Sequence, residues 1–111
     1  MTARRRGEAG FQAAVIEMAH AFRWKVVEFR KVLVQRRNGS AYWATPFGAD
    51  GKGFVDLILA KPPRLLHVEL KVPPNVIEPS QAEWHRLLRE CGGTVLVWTP
   101  EDWEVIERTL R

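Results

Sequence analysis

The chain has 111 residues, 46% of them hydrophobic and 27% charged, the composition of one globular domain with no room for a second core. Its longest apolar runs, Leu57 to Ala60 and Val95 to Trp98, fall far below the roughly 18 residues of a membrane span, so no membrane role is expected. Seventeen Lys and Arg against thirteen Asp and Glu give a formal net charge of +4, which favours a polyanionic partner, and the single Cys91 excludes an internal disulfide or a multi-cysteine zinc site.

Arg4, Arg5 and Arg6 are followed by Glu8, Gln12 and Glu17 instead of an apolar signal core, so a cytoplasmic location is expected. Phe11, Val15, Met18 and Phe22 recur at spacings of three and four and predict a first helix over Glu8 to Phe22. Trp24 to Gln35, rich in Val, Phe and Leu, predicts a first strand, ended by the polar cluster Arg36, Arg37, Asn38, Gly39, Ser40. After Gly48, Gly51 and Gly53, the runs Phe54 to Ala60 and Leu65 to Lys71 flank Lys61, Pro62, Pro63 and Arg64 and predict an antiparallel hairpin. Pro73, Pro74 and Pro79 cannot continue a strand, and Ser80 with Glu83 reads as a capping box for a second helix. Trp84, Leu87, Leu88 and Cys91 share one side of that helix, with Cys91 as a small buried hydrophobe, and Gly92 and Gly93 end it. Thr94 to Trp98 is a short buried strand, and Thr99, Pro100 and Asp102 open a third helix. The order α, β, β, β, α, β, α predicts an α/β architecture with a mixed sheet flanked by helices.

Carboxylates that interrupt apolar strands mark the chemistry. Asp56 sits near the start of a strand otherwise suited to burial, where a charge needs a partner. In the next strand Leu66, Val68 and Leu70 share one face, and His67, Glu69 and Lys71 share the other. That ionisable face also suits a solvated hairpin with a Glu and Lys pair. The position of Asp56 on the neighbouring strand adds a second possibility: Asp56 and Glu69 converge on one hard cation, Mg²⁺ or Mn²⁺, with Lys71 beside them. On the first helix, Glu8 and Gln12 fall in the arc of Val15, Ala19 and Phe22, whereas Glu17 points away. Glu8 thus suits either a first-turn carboxylate complementing the helix dipole or a place in the site. Gln81 shares an arc with Trp84, His85 and Leu88, so its amide faces inward, toward a ligand or as a satisfied core amide.

Glu8 with Phe11 and Gln12, then Gly53 to Leu57, Glu69 to Lys71, and Pro79, Gln81 and Trp84 resemble the VRR-NUC branch of the PD-(D/E)XK nucleases. The similarity runs from about Glu8 to Leu110 and includes Val97 to Asp102; it departs at Val55, where the family more often has proline. It implies that the α, β, β, β, α, β, α elements form a PD-(D/E)XK-type core and that the activity is Mg²⁺- or Mn²⁺-dependent hydrolysis of DNA phosphodiesters. It implies a catalytic set of Asp56, Glu69 and Lys71, with Glu8 as the helix carboxylate and Gln81 as an accessory amide. The metal set it implies is Asp56, Glu69, Glu8 and the Leu70 backbone carbonyl. A lone domain of this kind resembles bacterial and phage members, which act as homodimers on branched DNA such as four-way junctions. Two other functions stand beside that one: a flap or linear-duplex nuclease, and a DNA-binding module that has lost activity.

Arg36, Arg37, Tyr42, Trp43, Phe47 and Lys52 interleave cations with aromatics, a composition suited to phosphates and exposed bases, and Arg36, Arg37 and Lys52 are the expected nucleic-acid contacts. His67 is the one histidine of interest, because it shares the face of Glu69. Five Trp and five Phe exceed what one small core obviously needs, so Trp43 and Trp103 are expected candidates for a subunit interface, while Trp24 and Trp98 suit the core or that interface.

Overall fold

The computed structural model describes residues 7–29, 32–45 and 48–111. Helix α1 (Gly7–Ala21) is followed by strands β1 (Lys25–Glu28), β2 (Val32–Gln35), β3 (Ala41–Ala44), β4 (Leu57–Lys61) and β5 (Arg64–Leu70). Helix α2 (Pro79–Glu90), strand β6 (Thr94–Trp98), a 3-10 turn at Pro100–Asp102 and helix α3 (Trp103–Leu110) come after them. Strands β1, β4, β5 and β6 form one sheet in that order, antiparallel except for the parallel β5–β6 pair. A parallel pair needs a crossover, and α2 supplies it. The protein is a mixed α/β fold with a mixed sheet flanked by helices.

The strand expected over Trp24 to Gln35 is two strands in two sheets. Twelve extended residues would reach about 40 Å, and the five-residue β4 can pair with only the first part. Strand β1 therefore pairs with β4, while β2 pairs with β3 in a separate hairpin, with Leu33 opposite Trp43 and Val34 opposite Tyr42. The polar cluster expected to end a strand is the turn of this hairpin, closed by the Arg36 N–H to Ser40 carbonyl bond at 2.8 Å. With the inserted β2–β3 hairpin set aside, the other elements run α, β, β, β, α, β, α.

One face of the sheet carries the core. Phe11, Ala14, Val15 and Ala19 of α1 and Trp103, Ile106 and Leu110 of α3 pack on Leu57, Leu59, Leu66, Val68, Leu70 and Trp98. Strand alternation sends Leu66, Val68 and Leu70 into this core and turns Glu69 to the opposite face, where α2 covers it. Trp24 is also in the core, where its indole N–H donates to the Leu110 carbonyl at 2.8 Å and the Arg64 guanidinium lies 4.6 Å from its ring centroid. Trp103 packs against Phe11 inside its own chain, which removes it as a subunit-interface candidate.

Helix α2 departs from its expected phase. The capping box is formed by Glu78 and Gln81 instead of Ser80 and Glu83, because Pro79, having no N–H to satisfy, occupies the first helical turn. Only His85 is buried on α2, whereas Leu87 and Cys91 are exposed, so Cys91 is not the small core hydrophobe expected of it. Among the described residues no helix is long and apolar enough to cross a membrane.

Candidate functional site

The β4–β5 register ends at the Leu57–Val68 pair, and Asp56 is the bend that precedes it. The two carboxyl groups meet there, joined by a side-chain hydrogen bond between Asp56 and Glu69. The Asp56 backbone is fixed on both sides. Its N–H donates to the Val68 carbonyl and its carbonyl accepts the Phe29 N–H, each at 3.0 Å. Its carboxylate accepts the Leu70 N–H at 2.7 Å, which answers the partner required of a charge in that strand and places the Leu70 backbone at the site.

The loop that delivers Asp56 is fastened to α2. Phe54 meets Phe29 and Trp84 edge to face, at centroid distances of 5.5 and 5.0 Å, and the Trp84 indole N–H donates to the Asp50 carbonyl at 3.0 Å. Glu69, only 1% exposed, is held from the other side. Its Oε1 lies 3.3 Å from His85 Nε2, and its Oε2 accepts Gln81 Nε2 at 3.3 Å and stands 3.7 Å from Lys71 Nζ. The Gln81 amide is aimed by the cap of its own helix: its Oε1 accepts the Glu78 N–H at 2.8 Å, which leaves Nε2 for Glu69.

Burial, and after it the charge and hydrogen bond of Asp56, push the Glu69 carboxyl up to about 8; Glu8 adds to the push and Lys71 opposes it. Burial, followed by the Arg89 and Lys71 cations, holds the His85 imidazole below its ordinary value. The His85–Glu69 distance is that of an ion pair, yet both groups are held toward their neutral forms at neutral pH, so this contact is a hydrogen bond.

Two clefts share Asp56, Phe29 and Thr45. The larger, about 520 Å³, is lined also by Glu8, Gln12, Glu28 and Trp43; the smaller, about 220 Å³, by Gly48, Gly51 and Phe54. Glu8 and Gln12 thus face inward, as the helix arc predicts. Glu28 escapes the sequence reading, although as a carboxylate in an apolar strand it meets the criterion that marks Asp56; its Oε2 accepts Gln12 Nε2 at 2.9 Å. His85 escapes it too. Its position four residues after Gln81, on the same arc, is the signal that could have found it. His67, the expected histidine of interest, instead places Nδ1 3.1 Å from the Thr94 carbonyl and makes no described contact with Glu69.

Arg36 and Arg37 are exposed at the β2–β3 turn, with the Arg36 guanidinium 4.5 Å from the Tyr42 ring centroid. Lys52 is exposed in a third cleft with Asp50, Ser80, Glu83 and Trp84. None of these three cations lines either cleft that contains Asp56. Phe47 and Arg4 to Arg6 lie outside the described residues.

The donors at the centre are oxygens, which suit a hard cation. Among the described residues no three His, Cys, Asp or Glu side chains are grouped to hold an ion by themselves. Mg²⁺ needs no such cage, since it ordinarily takes one or two carboxylates and completes its shell with water and substrate phosphate. A carboxyl whose ionisation is opposed by burial and by its carboxylate neighbours is short of positive charge, which a divalent ion would supply.

The raised Glu69 value makes a stability prediction for protein in EDTA. Between the ordinary value of 4.5 and about 8 the unfolded chain has released this proton and the native state retains it. The contribution of Glu69 to stability is therefore complete below pH 4.5, falls as pH rises toward 8, and is lost above it. Thermal unfolding at pH 5, 7 and 9 should show a steeper decline for the unaltered protein than for Glu69→Gln; parallel curves would contradict the shift.

Compared with known proteins, the chain matches no family model, no curated protein and no solved structure.

Proposed function

We propose that the protein is a metal-dependent DNA endonuclease, with a PD-(D/E)XK-type core similar to that of the VRR-NUC nucleases and branched DNA as its substrate. The observation that carries this is the meeting of the Asp56 and Glu69 carboxyl groups at the end of the β4–β5 ladder, with Lys71 against Glu69 and an open cleft in front of Asp56. Asp56, Glu69 and the Leu70 carbonyl would hold Mg²⁺ or Mn²⁺, with Glu8 in the wall of the same cleft. A cation bound there polarises the phosphodiester and lowers the pKa of the attacking water. The Lys71 ammonium orients that water and offsets charge building on the phosphate. Gln81 and His85 each hold one oxygen of Glu69, fixing its carboxyl plane toward Asp56. A module that only binds DNA would gain nothing from paired carboxyl groups facing a polyanion.

Resolution of a four-way junction requires two incisions, and one acidic pair provides one cutting centre, so this function entails a homodimer. Side-by-side cleavage of linear, flap and four-way DNA with Mg²⁺, with Mn²⁺ and with EDTA tests the proposal. Metal-dependent cutting that favours the four-way substrate is expected; inertness on all three would refute it, and a preference for flap or linear DNA would replace the substrate. In the same assays Arg36→Ala combined with Arg37→Ala should weaken binding to every DNA and lower the salt slope by roughly two, one for each phosphate that an arginine no longer neutralises. Both side chains are exposed, so folding should be unaffected. An unchanged slope would remove them from the interface.

A further inference from the structure

The proposed hydrolysis leaves Trp43 without a task. Its residue surface is 67% exposed on β3, yet it also forms part of the wall of the cleft that contains Asp56, Glu8 and Glu28. Folding ordinarily buries an indole, since its apolar area is the largest of any side chain, so a displayed Trp at a cleft mouth is a surface suited to being covered by a ligand. Leu33 lies directly across the ladder on the same face and is itself about half exposed. On the other face Tyr42 carries the Arg36 guanidinium. Residues 32–45 include Arg36 and Arg37 and contain no Asp or Glu, so the hairpin presents aromatic and aliphatic surface together with uncompensated positive charge. Flat apolar surface on one face of the hairpin, with Arg36 on the other face and Arg37 at the turn, matches a base attached to a phosphate backbone, and matches a neutral apolar surface poorly.

We propose that Trp43, with Leu33 beside it, is a stacking platform for an unpaired nucleobase, and that this stack makes an interruption in base pairing the feature the protein selects. A base inside a continuous duplex has both faces covered by its neighbours and cannot present one to an indole. A base at a branch, bulge or flap can. Because the indole borders the cleft in front of Asp56, the stacked nucleotide brings its adjoining phosphate toward the carboxyl pair. The placement of that phosphate rests on the nuclease reading; the stack does not.

The test is anisotropy binding of the full chain, in EDTA, to three labelled duplexes: fully paired, with one unpaired thymine, and with an abasic residue at that position. The unaltered protein should bind the unpaired-thymine duplex roughly tenfold more tightly than the abasic one. Trp43→Ala should abolish that difference and Trp43→Phe should keep most of it, with the salt slope unchanged in both, because neither change touches a cation. Equal affinity of the unaltered protein for the thymine and abasic duplexes would overturn the proposal. So would a Trp43→Ala protein that weakens equally on all three DNAs, or one that keeps the base preference while light scattering shows a dimer falling to monomers, since Trp43 would then be covered by a second copy. Cleavage of the same duplexes with Mg²⁺ is read separately. Base preference without cleavage refutes the nuclease and retains the stack, and cleavage without base preference does the reverse.

Discussion

Asp56→Asn and Glu69→Gln should each lower Mg²⁺-dependent cleavage by roughly a thousandfold or more, while DNA binding in EDTA stays intact or becomes slightly tighter. The size follows from what the pair provides: polarisation of the phosphate and activation of water contribute several kcal/mol to the transition state, and each ~1.4 kcal/mol is a factor of ten in rate. The direction of the binding effect follows from charge: the Asp56 carboxylate repels a phosphate when no cation lies between them, so Asp56→Asn tightens binding, whereas Glu69, held toward its neutral form, leaves binding unchanged on substitution. Neither variant should unfold. Glutamine at 69 preserves the shape of a side chain already held toward its neutral form, with an oxygen and an amide left to meet Gln81 and His85. Asparagine at 56 keeps an oxygen for the Leu70 N–H. Glu104→Gln, on the exposed side of α3, is the control and should cut normally. Cleavage at near unaltered rate by Asp56→Asn with Mg²⁺ present would remove the pair from the chemistry.

What is legible in this sequence is periodic and local. The period of two in Leu66 to Lys71 turns Glu69 away from the core face, and the antiparallel β4–β5 hairpin brings Asp56, thirteen residues earlier, to the same end of the sheet, where the two carboxyl groups share a hydrogen bond. The helical period likewise turns Glu8 and Gln12 toward the cleft and leaves Glu17 exposed. What escapes depends on contacts between distant segments. Whether the twelve residues from Trp24 to Gln35 form one strand or two is decided by the length of β4, nearly thirty residues later, and nothing within the segment states it. The phase of α2 escapes because apolar residues do not mark its inward side. The residues of α2 that meet Glu69 are Gln81 and His85, polar groups turned inward because a buried carboxyl needs partners. A polar stripe on a helix above an acidic strand carries as much information as an apolar one.

A matched pair of glycine substitutions should separate the loop that delivers Asp56 from an ordinary helix end. Gly53 and Gly92 share a φ of +86°, so alanine at either carries the same penalty for left-handed backbone, about 1 kcal/mol. Gly92 follows the C-cap of α2, where its N–H bonds the Arg89 carbonyl, and a Cβ there meets nothing within 4 Å. Gly92→Ala should therefore lower the melting temperature by only a few degrees, on the order of 4–8 °C per kcal/mol for a domain near this size, and leave cleavage unchanged. A Cβ at Gly53 would stand 2.5 Å from the Ser80 carbonyl carbon and 2.6 Å from its oxygen. Those atoms are helix backbone and cannot swing aside, so loop and α2 must part. The cost should reach about 3 kcal/mol or more, a loss of roughly ten degrees or more in melting temperature. Separation also acts on the site, because Gly53 lies three residues before Asp56 and Ser80 immediately precedes Gln81, so the two anchors of the carboxyl pair move apart. Gly53→Ala should consequently lose most of its cleavage at temperatures where it is still folded by circular dichroism, whereas Gly92→Ala should not. If both variants melt and cut alike, the loop is not seated on α2, and the Phe54–Trp84 contact is not what positions Asp56.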